Sequence, residues 1–174
     1  MGNFRMHDVR DLYAQHTTDT GQVFAPDTIT HAFTLTQGQP WLVNALAKVV
    51  VEDLAPDPTM LVTPAFIDQA CEVLIQRQDT HLDSLAERLR EPRVRAIIEP
   101  ILAGTVPADL PVDDVQFVRD LGLVRQDAHA GLVIANPIYA AIIARSLTTT
   151  TRALRTTTED ATTPSGRQIS VIRA

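Results

Sequence analysis

Apolar residues recur along this chain at helical spacing, broken at regular intervals by proline, glycine and threonine clusters. Val9, Leu12 and Tyr13 share one helical face, and Thr17-Thr18-Asp19-Thr20-Gly21 predicts a turn after them. Pro26-Asp27 opens a second helix with Ile29, Ala32 and Phe33 on one side. It closes at Thr36-Gln37-Gly38, where glycine suits a left-handed cap. Pro40 sits at the position where a first helical turn tolerates proline. The helix behind it buries Leu42, Ala45, Leu46 and Val49 and stops before Pro56. Thr63-Pro64 starts a fourth helix, with Phe66, Ile67, Ala70, Val73 and Leu74 on its stripe.

Asp79 to Asp83 reads as a hinge or a second cap, followed by Leu82, Leu85 and Leu89 at helical spacing. Pro92 interrupts. Val94, Ile97, Ile98 and Ile101 then form a helix ending at Gly104. Beyond it the pattern changes. Val115, Phe117, Val118 and Leu121 predict a short helix closed by Gly122. Leu123-Val124-Arg125 and Leu132-Val133-Ile134 predict two short strands around a turn at Asp127–Gly131, and Pro137 opens a last helix with Ile138, Ile142 and Ile143. The fold class that follows is mainly α: a helical bundle over residues 1–80, then helix, helix, hairpin and helix over 81–147, the order of a winged helix-turn-helix. Residues 148–174, rich in threonine and poor in large apolar side chains, are expected to be a disordered tail.

Composition narrows the function classes. The 174 residues are 45% hydrophobic and 21% charged, ordinary for a globular protein. No run approaches the ~20 apolar residues of a membrane span, and the N-terminus carries an acid early with no apolar core, unlike a signal peptide. A cytoplasmic protein with no membrane partner is expected. Charge is uneven: four basic against ten acidic residues over 1–80, seven against nine over 81–147, four against two over 148–174, for a net of −6. Tight phosphate-driven nucleic-acid binding needs clustered positive charge, so DNA is disfavoured as a partner.

The catalytic motifs fail one after another. The sequence holds no G-x-x-x-x-G-K-[ST]. Its one lysine, Lys48, follows Leu46-Ala47 in an apolar helix. G-x-S-x-G and H-E-x-x-H are absent too. Cys71 is the single cysteine and lies on the stripe of Ala70 and Leu74, which reads as an inert thiol. His81 and Asp83 read as a polar cap, because two ligands do not make a metal site. The chain is therefore expected not to be an enzyme, with no catalytic residues and no metal.

The informative string is Thr36-Gln37-Gly38-Gln39-Pro40-Trp41-Leu42-Val43-Asn44-Ala45-Leu46. It resembles the G-x-P motif of the helical lid of AAA-like, archaeal-ATPase and STAND-type P-loop ATPases. The strings Arg77 to Gly104, Asp113 to Val124 and Ile134 to Tyr139 are similar to the region that follows the ATPase core in the same family. The resemblance spans roughly residues 8 to 147 and does not reach the family's P-loop, Walker B acid or sensor. It implies that Gly38, Gln39 and Pro40 face nucleotide when a P-loop domain is present. It also implies that Arg77, Arg93 or Arg95 supplies a sensor-type guanidinium to phosphate. A capping and helix-starting role for Gly38–Pro40 stands beside the first reading, and surface ion pairs with Glu91 and Glu99 beside the second. Trp41 reads as core or as an interface residue.

The family's cofactors are ATP and Mg; none is expected in isolation. The function that follows is a noncatalytic regulatory or interaction module whose partner is a P-loop domain or another protein, with homo-oligomers an expected consequence of uncovered apolar surface. The alternatives are a winged-helix DNA-binding regulator, argued against by Asp113, Asp114 and Asp120 around Arg119, and an intact nucleotide hydrolase, argued against by the missing P-loop.

Overall fold

The computed structural model describes residues 2–77, 87–105 and 109–146. Four helices come first: α1 (Met6–Thr20), α2 (Pro26–Thr36), α3 (Pro40–Val49) and α4 (Pro64–Arg77). A π-helical turn, Val50–Leu54, continues α3 directly. Then come α5 (Pro92–Leu102), α6 (Val112–Asp120), the strands β1 (Val124–Asp127) and β2 (Gly131–Ile134), and a helix over residues 137–146, α7. The strands form one antiparallel hairpin, Val124 opposite Ile134 and Asp127 opposite Gly131. The architecture is mainly helical with a small hairpin, as the apolar periodicity predicts.

Several boundaries differ from expectation. Thr17 to Thr20 form the last turn of α1 instead of a loop. The hydroxyls of Thr17, Thr18 and Thr20 donate to the carbonyls of Tyr13, Ala14 and His16, four residues back, and Gly21 closes the helix at φ 82°. The cap of α2 is Gln37, at φ 49°, and Gly38 follows at φ 71°, so two consecutive residues are left-handed. Pro92 starts α5 at a position where its missing N–H costs nothing. β1 starts one residue later than predicted and runs to Asp127, while Leu123 still accepts a bond from Ala135 N–H at 2.8 Å. The expected hinge at Asp79–Asp83, the 80/81 boundary, the pair His81 and Asp83, and the tail 148–174 all fall outside the described residues.

One continuous core runs through both halves. Val9, Leu42, Leu46, Ile67 and Leu74 fill the bundle. Val94, Ile97, Ile98, Val118, Ile138 and Ile143 fill the hairpin half. Each such side chain contributes about 1.5–3 kcal/mol by leaving water. Several buried polar groups have partners within the chain. The Tyr13 hydroxyl donates to Val43 O at 3.1 Å, and burial raises its pKa far above the ordinary tyrosine value. The Gln22 amide donates to Ala55 O at 2.8 Å. Segments 22–25 and 60–63 pair in parallel at Phe24 and Val62, which buries those two residues and leaves Val23 and Leu61 side by side in solvent next to Met60. Together with Val112, these are the large apolar side chains that are exposed among the described residues. No described helix is long and apolar enough to cross a membrane.

Candidate functional site

The turn Thr36–Pro40 joins α2 to α3 and is built from its own hydrogen bonds. Gln37 N–H donates to Phe33 O at 2.7 Å, and Gln39 N–H donates to Thr36 O at 3.0 Å. The buried Thr36 hydroxyl donates to Ala32 O at 2.8 Å and accepts from Gly38 N–H at 3.2 Å. Pro40 then takes the first position of α3, and Val43 N–H donates back to Gln39 O at 3.0 Å.

Three parts of the molecule meet on this turn. From the N-terminal side, Phe4 N–H donates to Gly38 O at 2.7 Å and the Asn3 amide to Gln37 O at 3.0 Å. The Phe4 carbonyl lies so close that a Cβ on Gly38 would stand 2.0 Å from its oxygen. From the C-terminal side, the Gln39 amide lies against the Tyr139 hydroxyl of α7. That contact partly offsets the burial that raises the Tyr139 pKa, yet Gln39 Oε1 is itself buried with no hydrogen-bond partner among the described residues. A cleft of about 390 Å³ opens beside it between Gln37 on one wall and Arg125, Asp127, Val133, Asn136, Pro137 and Ala140 on the other. The side chain of Asn136 accepts from Tyr139 N–H at 2.9 Å and starts α7. In this structure the Gly38 face implied to meet nucleotide is therefore covered by the chain's own residues 3 and 4.

The three arginines implied as phosphate sensors are held at separate places. Arg77, at the end of α4, pairs with Asp53 Oδ2 at 2.9 Å. Arg93 lies 3.3 Å over the Phe117 ring and pairs with Glu91 at 3.2 Å. Arg95 Nε donates to Glu99 at 2.8 Å. Glu91 takes Arg88 and Arg93, not Arg95, and these guanidinium groups hold its carboxyl below the usual range. Arg77 lines a groove of about 580 Å³ along α3 and α4, together with the half-buried Trp41, Asn44, Lys48 and Asp53. Lys48 points into solvent beside Glu52 at 3.9 Å, so its ammonium serves the helix surface and not a phosphate loop.

The hairpin turn owes its shape to Asp127, whose carboxylate accepts from His129 N–H and Ala130 N–H at 3.0 and 3.1 Å. Those bonds, then Arg125, hold its pKa low. Arg125 Nε is buried without a hydrogen-bond partner among the described residues. Helix α6 carries Asp113 and Asp114 in its first turn, where they favour the positive helix end, and Arg119 in its last. Sequence reasoning missed Asn3, Phe4, Arg125 and Tyr139. Their one legible signal was the glycine at 38.

Cys71 is half-buried on α4. Burial, reinforced by the carboxylates of Glu72 and Asp68 and opposed by Arg145, raises its thiol to about 11. At pH 8 only about one thiol in a thousand is then ionised, so alkylation is expected to run roughly 100-fold slower than for a free cysteine. The rate should climb about tenfold per pH unit up to that pKa. A rate like that of a small thiol at pH 8 would contradict the assignment. Among the described residues no group of His, Cys, Asp and Glu could hold a metal ion.

No protein-family model matches the chain, and no curated protein matches it. A solved structure, the Walker-type ATPase Paby2304 of Pyrococcus abyssi, is similar over 81% of this chain and 42% of that one, at a TM-score of 0.53 and 16% identity. At that identity the likeness is one of fold. This chain shares the fold of part of that ATPase and spans less than half its length.

Proposed function

We propose that this chain is a noncatalytic regulatory or interaction module, a helical lid followed by a winged helix, that contacts nucleotide only when a P-loop domain is supplied to it. The observation that carries the reading is the fold likeness to under half of a Walker-type ATPase in a chain whose 174 residues include no P-loop string. The single lysine, paired with Glu52 on α3, supports the same reading. In this reading the Thr36–Pro40 turn meets nucleotide once residues 3 and 4, which cover Gly38 here, have moved aside, and the partner is the domain that grips the phosphates. Arg77 is the sensor candidate this reading favours, because it lines an open groove beside Trp41, where its present partner is the exposed carboxylate of Asp53. Arg93 is committed to Phe117 and Arg95 to Glu99.

The test is a phosphate-release assay on the purified chain with ATP and Mg, and the expected rate is that of buffer alone. Turnover that depends on Mg would refute the reading. A polarisation titration with duplex DNA at low and moderate salt separates the DNA-binding alternative. Binding is expected to be weak at low salt and lost at moderate salt, because α6 presents three carboxylates around Arg119.

A further inference from the structure

Segments 22–25 and 60–63 pair in parallel through two bonds. Ala25 N–H donates to Val62 O at 3.0 Å, and Val62 N–H donates to Val23 O at 2.9 Å. Backbone groups alternate sides along an extended segment, so Leu61 N–H and C=O face away from that pairing. Neither has a backbone hydrogen bond among the described residues. The side chains around this open edge are apolar and exposed: Val23 by 49%, Met60 by 38% and Leu61 by 53%. An open edge beside exposed apolar side chains is where an extended segment adds to a sheet.

The setting of the edge is acidic. The Asp57 carbonyl accepts from Met60 N–H at 3.0 Å, and its exposed carboxylate accepts from Thr59. Asp19 and Asp27, both exposed, stand just before and just after segment 22–25. Lys48 is the one lysine or arginine from residue 11 to residue 76, and it pairs with Glu52. A second copy of this surface would bring like charges together, whereas a cationic segment complements it.

Residues 148–174 supply such a segment, with four arginines against two acids. In Arg167-Gln168-Ile169-Ser170-Val171-Ile172-Arg173, every second residue from 167 reads Arg, Ile, Val, Arg. At the two-residue period of a strand these four share one face, an apolar pair between two guanidinium groups. That face matches apolar side chains set among carboxylates. Reach is no obstacle. The end of α7 lies beside α4, where Arg145 pairs with Glu72 at 3.1 Å. From Glu72 to Pro64, which adjoins the edge, is about 12 Å along the helix. The residues between Ser146 and Arg167 can span up to roughly 65 Å.

We propose that the Leu61 edge is a docking site for the chain's own residues 167–173, added as a strand, with Ile169 and Val171 against Val23, Met60 and Leu61 and with Arg167 and Arg173 toward the surrounding carboxylates. A tether of this kind keeps its end at roughly millimolar effective concentration, so a free-peptide Kd of about 1 mM is enough to half-fill the edge. The docking rests on residues of this chain and does not depend on the ATPase reading.

Methionine makes the test compact, because the chain has only Met1, Met6 and Met60. With isotope-labelled methionine methyl groups, assigned through Met60→Leu, Met60 reports the edge, and Met6, at the far end of α1, reports the fold. Ending the chain at Ser165 is expected to shift the Met60 resonance and leave Met6 in place. Free peptide Arg167–Ala174, added to the shortened chain up to about 1 mM, should return Met60 toward its position in the intact chain, and less so as salt is raised. The same peptide with Ile169→Asp and Val171→Asp should have no effect, and Leu61→Lys in the shortened chain should abolish the response. An unmoved Met60 in a shortened chain that keeps its Met6 signal overturns the proposal, as does an equal response to the substituted peptide. Dilution of the intact chain that moves Met60 as shortening does also overturns it, because the segment then docks on a second copy. If the shortened chain loses both signals, Arg167→Glu with Arg173→Glu in the intact chain decides: no movement of Met60 there overturns it.

Discussion

Replacing Gly38 by alanine is expected to destabilise the fold by about 3–5 kcal/mol, near the upper limit for one added methyl group. Two effects add. The backbone at Gly38 has φ 71°, where a Cβ clashes with its own chain. That clash alone costs about 1–2 kcal/mol. The new Cβ would also stand 2.0 Å from the Phe4 oxygen and 2.9 Å from the Phe4 carbonyl carbon, and both are backbone atoms with no rotamer to yield. The segment at residues 3 and 4 must leave, taking its two hydrogen bonds with it. Gly104 and Gly122 provide the comparison. Their φ values are 70° and 72°, but a Cβ there meets nothing within 4 Å among the described residues, so Gly104→Ala and Gly122→Ala should show the conformational cost alone, about 1–2 kcal/mol. Thermal or denaturant unfolding of the three variants measures the difference. Equal losses at 38, 104 and 122 would mean that residues 3 and 4 do not rest on the turn.

That glycine also shows what could be read in advance. Its place between a threonine-ended helix and a proline-started one announced a left-handed turn, and a left-handed turn is what the chain builds. What presses on the turn came from residue 4 and from residue 139, and no local pattern encodes a contact over such separations. Helices were legible because apolar spacing reports which face is buried: Leu42, Leu46 and Val49 all lie in the core as their spacing predicts. The end of α1 was not, because threonine weakens helices by competing for backbone bonds in isolation, yet here each hydroxyl bonds a carbonyl within its own helix. The arginines show the same limit. Charge and spacing suggested Arg95 with Glu99, which forms. They gave no sign that Arg93 lies over Phe117, an aromatic contact made between helices 24 residues apart in sequence.

Leu46→Ala is expected to cost about 2–5 kcal/mol, the range for emptying a fully buried leucine site. Leu46 is 0% exposed on α3, a helix that packs against α2 and α4. Those helices are tied down elsewhere, α2 by Thr28 on Val62 O and α4 by its own buried stripe of Ile67, Ala70 and Leu74, so they cannot collapse into the space. The more telling measurement is how the rest of the chain responds. Ile98→Ala removes a 0% exposed side chain from α5, in the hairpin half, and carries a similar expected cost. Because buried side chains form one unbroken core from Val9 to Ile143, both variants should shift a single cooperative transition, whether followed by the bundle tyrosine Tyr13 or by Tyr139 in α7. At this chain length each kcal/mol lowers the midpoint by roughly 2–4 °C, so Leu46→Ala should melt some 5–15 °C early by either probe. Two separate transitions, with Leu46→Ala moving one and Ile98→Ala the other, would show that the halves fold independently, and that the contacts of Gln39 with Tyr139 and of Glu72 with Arg145 join units that do not need each other.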